Sequence, residues 1–338
     1  MSLKKIVLVR YDRIGDVVLT LPMAEVLKQR GDCELIFLGR DYTRVLAEAS
    51  PYIDGFISWD ELKNLSPFAI SKKLKKFNFD EVYIVSPGFK IALAFFLAGI
   101  KKRTGTGYRW YSFLFNNKVF EHRKTAQKNE LEYNLSMLGW QGDYHFPPDF
   151  FAGIPKFKRF SPDKTKIITI IHPGSGGSAA DLPLETFREL TSGLCKDGRF
   201  DVYLTGSREE IGKCQVVRGE SSAKILAGEL ELDELISFIK EGDLFISNST
   251  GPLHIAAAAG CFTVGFYPRV VQCSVERWGP YTDKKLIFKP EIGCSDCTLK
   301  QCARLECMKS INSDNILAAI DKKFVEIKNG NENETSNF

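Results

Sequence analysis

No long hydrophobic run occurs in the 338-residue sequence. Its most apolar stretches, IALAFFLAGI at 91–100 and the run around IAAAAGCFTVGFY at 255–267, are too short or too broken by glycine to cross a bilayer core of about 30 Å. Any membrane contact is therefore expected to be peripheral, on the inner membrane. The opening Lys4-Lys5 leads only into IVLV, with no cleavage site of small residues, which argues against an export signal and for a cytoplasmic protein. A Walker loop and a dinucleotide-binding fingerprint are both missing. No paired-carboxylate motif for a catalytic divalent ion is present, so no cofactor is expected to be required for catalysis. Nucleic acid is not an expected partner, because no binding module or interleaving of aromatic and basic residues accompanies the positive charge.

That charge is unevenly placed. The chain carries 46 Lys and Arg against 42 Asp and Glu; residues 1–150 hold 22 against 17, which leaves 24 against 25 in the remainder. The first half is the basic half. KKLKK (72–76), KKR (101–103) and Arg123-Lys124 supply much of the excess and suit an anionic partner such as a phosphorylated lipid, although KKLKK also reads as an ordinary solvated helix face.

Nine cysteines in a chain expected to lie in a reducing compartment point to thiols or a metal rather than a disulfide framework. Cys294-x-x-Cys297, Cys302 and Cys307 fall together. Four thiolates in so short a segment could hold zinc or an iron–sulfur cluster, with reduced structural thiols or a redox-labile disulfide as the alternatives.

A hydrophobic fraction of 44% and this length suit two globular domains. Short continuous apolar runs alternate with helical stretches, as in parallel sheets buried on both faces. Strands are expected at 5–10, 34–40, 55–59, 81–86 and 103–108, with helices from Val17 to Gln29 and from Ser66 to Phe77. Beyond the proline-rich connector 144–165, a second series of strands is expected at 166–172, 200–206, 224–228, 243–248, 263–267 and 285–289. A helix from Asp314 to Ile327 precedes the polar segment NGNENETSNF. The expected fold class is α/β: two Rossmann-like, doubly wound parallel-sheet domains facing a cleft, at 1–150 and 163–328, with a disordered tail at 329–338.

Three strand-to-helix turns carry the chemistry. In the first, YDRIGDVVLTLP puts Arg13, Gly15 and Asp16 just after strand one; Asp16 is either a catalytic carboxylate or the cap of a helix beginning at Val17, with Gly15 allowing a positive φ. In the second, HPGSGGSAADLP combines Gly174, Gly176 and Gly177 with Ser175 and Ser178, a loop that a diphosphate could approach closely. In the third, ISNSTGPLHIAAAAG presents Ser249, Thr250 and Gly251 at a helix start near Pro252, where backbone N–H groups attract phosphate. His254, one turn into that helix, is read either as a packed histidine or as part of the site.

Together, RIGDVVLTLP, HPGSGG, NSTGPLHIAAA and the cysteine-bearing tail resemble, in order, the motifs of glycosyltransferase family nine, the ADP-heptose:lipopolysaccharide heptosyltransferases. The resemblance implies a GT-B fold and inverting transfer from a nucleotide-sugar donor to a phosphorylated glycolipid acceptor of the lipopolysaccharide core. It implies Asp16 as general base, an acceptor-binding first domain and a donor-binding second domain. Gly174, Ser175, Gly176, Ser249, Thr250, Gly251, His254 and Glu209 are the donor candidates. Arg10, Arg13, Gly15, Lys101, Lys102 and Arg103 are the acceptor candidates. Two positions depart from the family pattern: Ser249 replaces an Asp, and Ala180-Asp181-Leu182-Pro183 replaces a segment with a Lys followed closely by Trp-Pro. A GT-B sugar-nucleotide epimerase, or a non-catalytic sugar-nucleotide-binding protein, is the alternative reading.

Overall fold

A computed structural model describes residues 3–177, 180–291 and 307–335, with side chains as far as Phe324. The chain divides into two compact units. The first is Met1–Lys156 with Ala258–Gly260 and Glu276–Thr282; the second is Phe157–Ala257, Cys261–Val275 and Asp283–Phe338.

In the first unit the strands are β1 (Lys4–Val9), β2 (Cys33–Gly39), β3 (Gly55–Ser58), β4 (Glu81–Ile84), β5 (Lys102–Thr106) and β6 (Asn117–Val119). They form one sheet in the order β3-β2-β1-β4-β5-β6, parallel at every pairing. Val7, Leu8 and Val9 are fully buried, as a central strand covered on both faces requires. Short, polar β6 lies at the sheet edge and offers no apolar run, which is why the sequence pattern does not reveal it.

The expected helix from Val17 to Gln29 is instead two helices, α1 (Ile14–Val18) and α2 (Pro22–Gln29). Pro22 has no N–H to continue the ladder and starts α2 from its first position. Then come α3 (Arg44–Ala49), α4 (Pro67–Lys75), α5 (Phe89–Leu97) and α6 (Glu130–Ser136). Ser66 caps α4 by accepting from the Ala69 N–H at 3.3 Å.

The second unit repeats the plan. Strands β7 (Ile167–His172), β8 (Phe200–Leu204), β9 (Lys224–Ile225), β10 (Leu244–Asn248), β11 (Phe262–Phe266) and β12 (Lys285–Phe288) pair in parallel in the order β12-β11-β10-β7-β8-β9. Helices α7 (Leu184–Lys196), α8 (Ile211–Arg218), α9 (Leu232–Ile239) and α10 (Gly251–Ala258) flank the sheet; the short α11 (Val275–Trp278) belongs from Glu276 onward to the first unit, and α12 (Ser313–Thr335) closes the second. The core on one side of this sheet gathers Phe187, Leu190, Leu204, Val264 and Ile316.

The proline-rich connector is held at both ends rather than loose. Tyr144 donates to Glu25 Oε2 at 2.6 Å in the first unit, while Phe157 packs 4.9 Å from Phe238 in the second. Helix α12 starts on the Asn312 side chain, which accepts from the Asp314 N–H at 2.7 Å, and continues as far as Thr335 into the polar segment expected to be disordered, where no proline stops it. Cys294, Cys297 and Cys302 lie outside the described residues; Cys307 is a buried free thiol. Among the described residues no helix is long and apolar enough to cross a membrane.

Candidate active site

Strand order reverses between β1 and β4, so the connections leaving these strands diverge and open a crevice at their C-terminal ends. Arg10, the first residue after β1, is only 4% exposed there. A cavity of about 620 Å³ opens beside it, lined by Arg10, Asp12, Asp16, Val85, Pro87, Tyr108, Arg109, Arg123, Lys124, Glu130, Arg277 and Trp278 among others.

Arg10 ties three carboxylates together. Its Nη2 pairs with Asp16 Oδ1, its Nε lies 2.9 Å from Asp12 Oδ2, and its Nη1 donates to Glu130 Oε1 at 3.3 Å. Glu130, at the start of α6, is almost wholly buried and meets two more guanidinium groups: Arg123 Nη1 bonds Oε1, and Arg277 Nε donates to Oε2 at 3.0 Å. Arg123 is fixed further by donating to Asn134 Oδ1 at 2.9 Å. Three cations and three carboxylates thus balance in a confined space, the arrangement that makes buried charge tolerable.

The carboxylates are not equivalent. Burial alone would raise the Glu130 pKa, but Arg123, Arg10 and Arg277 outweigh it and hold the group below the ordinary carboxylate range. Asp16 has its pKa raised, because burial outweighs the opposing pull of Arg10 and the nearby Asp12 adds repulsion. Asp16 is therefore the member of the cluster better suited to receive a proton. It does not cap a helix beginning at Val17: α1 starts at Ile14, and Asp16, its third residue, takes part in the capping box of that helix, Oδ2 accepting from the Arg13 N–H at 3.4 Å.

Other acceptor candidates fall elsewhere. Arg13 is exposed at the N-terminal end of α1 and does not line the cavity. Gly15 is buried inside α1 without the positive φ expected of it. Lys101, Lys102 and Arg103 sit at the start of β5, whereas the other end of that strand, Thr106, lines the cavity. Lys102 pairs with Glu81 at 3.1 Å, and Arg103 donates to the Leu114 carbonyl at 2.8 Å. Glu130, Arg123 and Arg277 were not marked as site residues by any motif; only folding gathers them.

In the second unit the reversal falls between β7 and β10, and two of the sequence motifs follow these strands. Asn248 fastens their loops together: its Oδ1 accepts from the Leu182 N–H and its Nδ2 donates to the Pro173 carbonyl, both at 2.8 Å. Gly176 and Gly177 take φ of +55° and +74°, a conformation that favours glycine. Any side chain at Gly174 would run into the Glu210 carboxylate. Ser249 and Thr250 are buried immediately before α10, with Thr250 Oγ1 3.0 Å from Ser247 Oγ. His254 is buried too; its Nδ1 has no hydrogen-bond partner, and burial pushes its pKa down to about 4, so it is neutral at physiological pH.

Glu209 is exposed, and the inward-facing acid is its neighbour Glu210. Glu210 accepts from the Ser207 N–H at 3.0 Å and lies 3.9 Å from His172 Nε2, while burial takes His172 to about 4. Lys213, from α8, brings a cation to this place, with Nζ 3.9 Å from Asp181 Oδ2 and 4.0 Å from Glu210 Oε1. A positive charge therefore stands beside the 173–183 loop although the loop itself lacks a lysine.

Residues 68–308 match glycosyltransferase family 9 (heptosyltransferase). The chain belongs to this family. It is 27% identical over 313 residues to a provisionally named glycosyltransferase of Haemophilus influenzae, covering 86% of this chain and 90% of that one. Lipopolysaccharide heptosyltransferase 2 of Escherichia coli is 26% identical over 219 residues, 59% of this chain and 62% of the relative. Among solved structures, ADP-heptose lps heptosyltransferase II of E. coli superposes with a TM-score of 0.76 at 18% identity, covering 96% of this chain and all of that one. Two six-stranded parallel sheets with flanking helices are the GT-B fold of such structures, and the family makes this protein a glycosyltransferase.

Proposed function

We propose that the enzyme transfers a heptose, with inversion, from a nucleotide-diphosphate donor of the ADP-heptose kind to a phosphorylated glycolipid acceptor of the lipopolysaccharide core, at the cytoplasmic face of the inner membrane. One observation carries the mechanism: a carboxylate with raised proton affinity, Asp16, borders an arginine-rich cavity at a strand-order reversal. Asp16 takes the proton of an acceptor hydroxyl as that oxygen attacks the anomeric carbon. The bond from that carbon to the diphosphate oxygen breaks in the same displacement, which inverts the centre, and Asp16 later passes its proton to water.

Arg10, Arg123 and Arg277 are committed to carboxylates, so a phosphorylated acceptor needs other cations. Arg109 and Lys124 line the same cavity and make no ion pair among the described residues, which fits them to acceptor phosphate. In the second unit, the backbone N–H groups opening α10 at Gly251, the hydroxyls of Ser249 and Thr250, the open backbone at Gly176 and Gly177 and the Lys213 ammonium suit a diphosphate leaving group. The names of the E. coli relatives, which specify lipopolysaccharide and ADP-heptose, favour heptose as the sugar.

The test is a panel of nucleotide sugars combined with extracted core lipids. ADP-heptose should give an acceptor-dependent glycolipid product; a product formed without acceptor, or from another sugar nucleotide alone, would contradict the proposal.

A further inference from the structure

Between Glu81 and Glu121 the sequence contains no Asp or Glu, yet it carries Lys90, Lys101, Lys102, Arg103, Arg109 and Lys118. This segment also builds an unusual surface. Helix α5 buries Ile91, Ala92, Ala94 and Phe95 against the sheet, together with α4 and the turn at Tyr111–Phe115. The opposite face of such a helix ordinarily carries charge. Here it carries Phe89 and Phe96, two turns apart on one face and both exposed. The turn after β5 adds Trp110, 73% exposed, and Phe113, 65% exposed; Phe120 beyond it is 63% exposed. The Trp110 ring lies 4.7 Å from that of Phe89, tilted by 32° to it, so helix and turn meet in one aromatic patch at these two side chains.

Lone exposed aromatics are common, but a contiguous cluster of them is not, and it marks a surface that is covered in use. The cations identify the covering. No ion pair among the described residues engages Lys90, Lys101, Arg109 or Lys118. An apolar aromatic patch in a segment that carries these unpaired positive charges and no carboxylate complements an anionic lipid surface: rings enter the interfacial layer while the ammonium and guanidinium groups meet headgroup phosphates. We infer that the outer face of α5 and the 108–120 segment dock this enzyme on a bilayer containing anionic phospholipid. Tyr108 and Arg109 belong to both this segment and the cavity wall, which would set the cavity mouth beside the membrane. The inference deepens the proposed glycolipid acceptor but does not need it, since vesicles without acceptor test the surface alone.

The experiment is co-sedimentation of the full chain with phosphatidylglycerol-containing vesicles and with pure phosphatidylcholine vesicles. The unaltered protein should bind the anionic vesicles, more weakly at high salt, and the Trp110→Ser, Phe113→Ser double variant should lose affinity by roughly tenfold or more. Lys118→Glu, an exposed change with little risk to folding, should weaken the same binding, and none of these variants should alter turnover of a delipidated, water-soluble acceptor. Equal binding by wild type and both variants, or no vesicle binding at all, would overturn the inference. So would a wild-type dimer that the double variant converts to monomer, because the patch would then join two copies of this chain.

Discussion

Asp16 and Glu130 are both held by Arg10, yet their surroundings move their proton affinities in opposite directions, and this gives two predictions. Asp16 is raised above the ordinary Asp value of 3.8, so its protonated form is favoured in the folded state. Its contribution to stability is present in acid and fades as pH rises through the raised value. If Asp16 is the base, kcat/KM should climb with pH through a midpoint above 3.8, and this rise should be missing from Asp16→Asn; a rise preserved in the variant would assign it to another group. Glu130 is lowered from the ordinary Glu value of 4.5, so its contribution is full above that pH and fades as pH falls through the lowered value. Glu130→Gln leaves Arg123 and Arg277 without their carboxylate, and should cost about 3–5 kcal/mol near neutrality, read from the denaturant midpoint. The deficit should shrink below pH 4.5; a deficit independent of pH would show that Glu130 acts by shape rather than charge. Asp16 is legible in the sequence because it follows a strand by a few residues. Glu130 is not, since it lies 120 residues along the chain from Arg10 and nothing local marks it.

At the scale of elements, the sequence is most informative where burial on both sides demands unbroken apolar runs, as in KIVLV and KIITIIH. It is least informative where a single residue's orientation decides the outcome. In TGSREE either glutamate could turn inward; the short turn Arg208–Glu210 and the bond from the Ser207 N–H select Glu210. Likewise, the run after β1 reads as one helix, and Pro22 alone divides it. Helix α10 is the element on which proposed donor binding depends, because its first backbone N–H groups follow directly on buried Ser249 and Thr250. ADP should raise the melting temperature, and Gly251→Val should abolish that rise while the variant without nucleotide still melts cooperatively. An undiminished rise would take the diphosphate away from this loop.

Across the whole molecule, the two units share an architecture and differ in charge. Besides KKLKK, the basic excess of the first half appears in the cations of the cavity and in the carboxylate-free segment between Glu81 and Glu121. The acidic groups of the second unit's loops, Asp181 and Glu210, are instead matched by a single ammonium, Lys213. Such a division suits a phosphorylated acceptor in the first unit and a donor held largely by backbone and hydroxyl groups in the second. The account turns on Asp16 as the base of an acceptor-dependent transfer, and the measurement that tests it most directly compares wild type with Asp16→Asn, using ADP-heptose and extracted core lipid. Because burial already disfavours the charged form of Asp16 and an Asn oxygen can still accept from Arg10, the variant's stability should change by no more than about 1 kcal/mol. Its kcat should fall by about 100-fold or more, with the ADP-induced rise in melting temperature unchanged. Wild-type turnover by a folded Asp16→Asn enzyme would contradict the account.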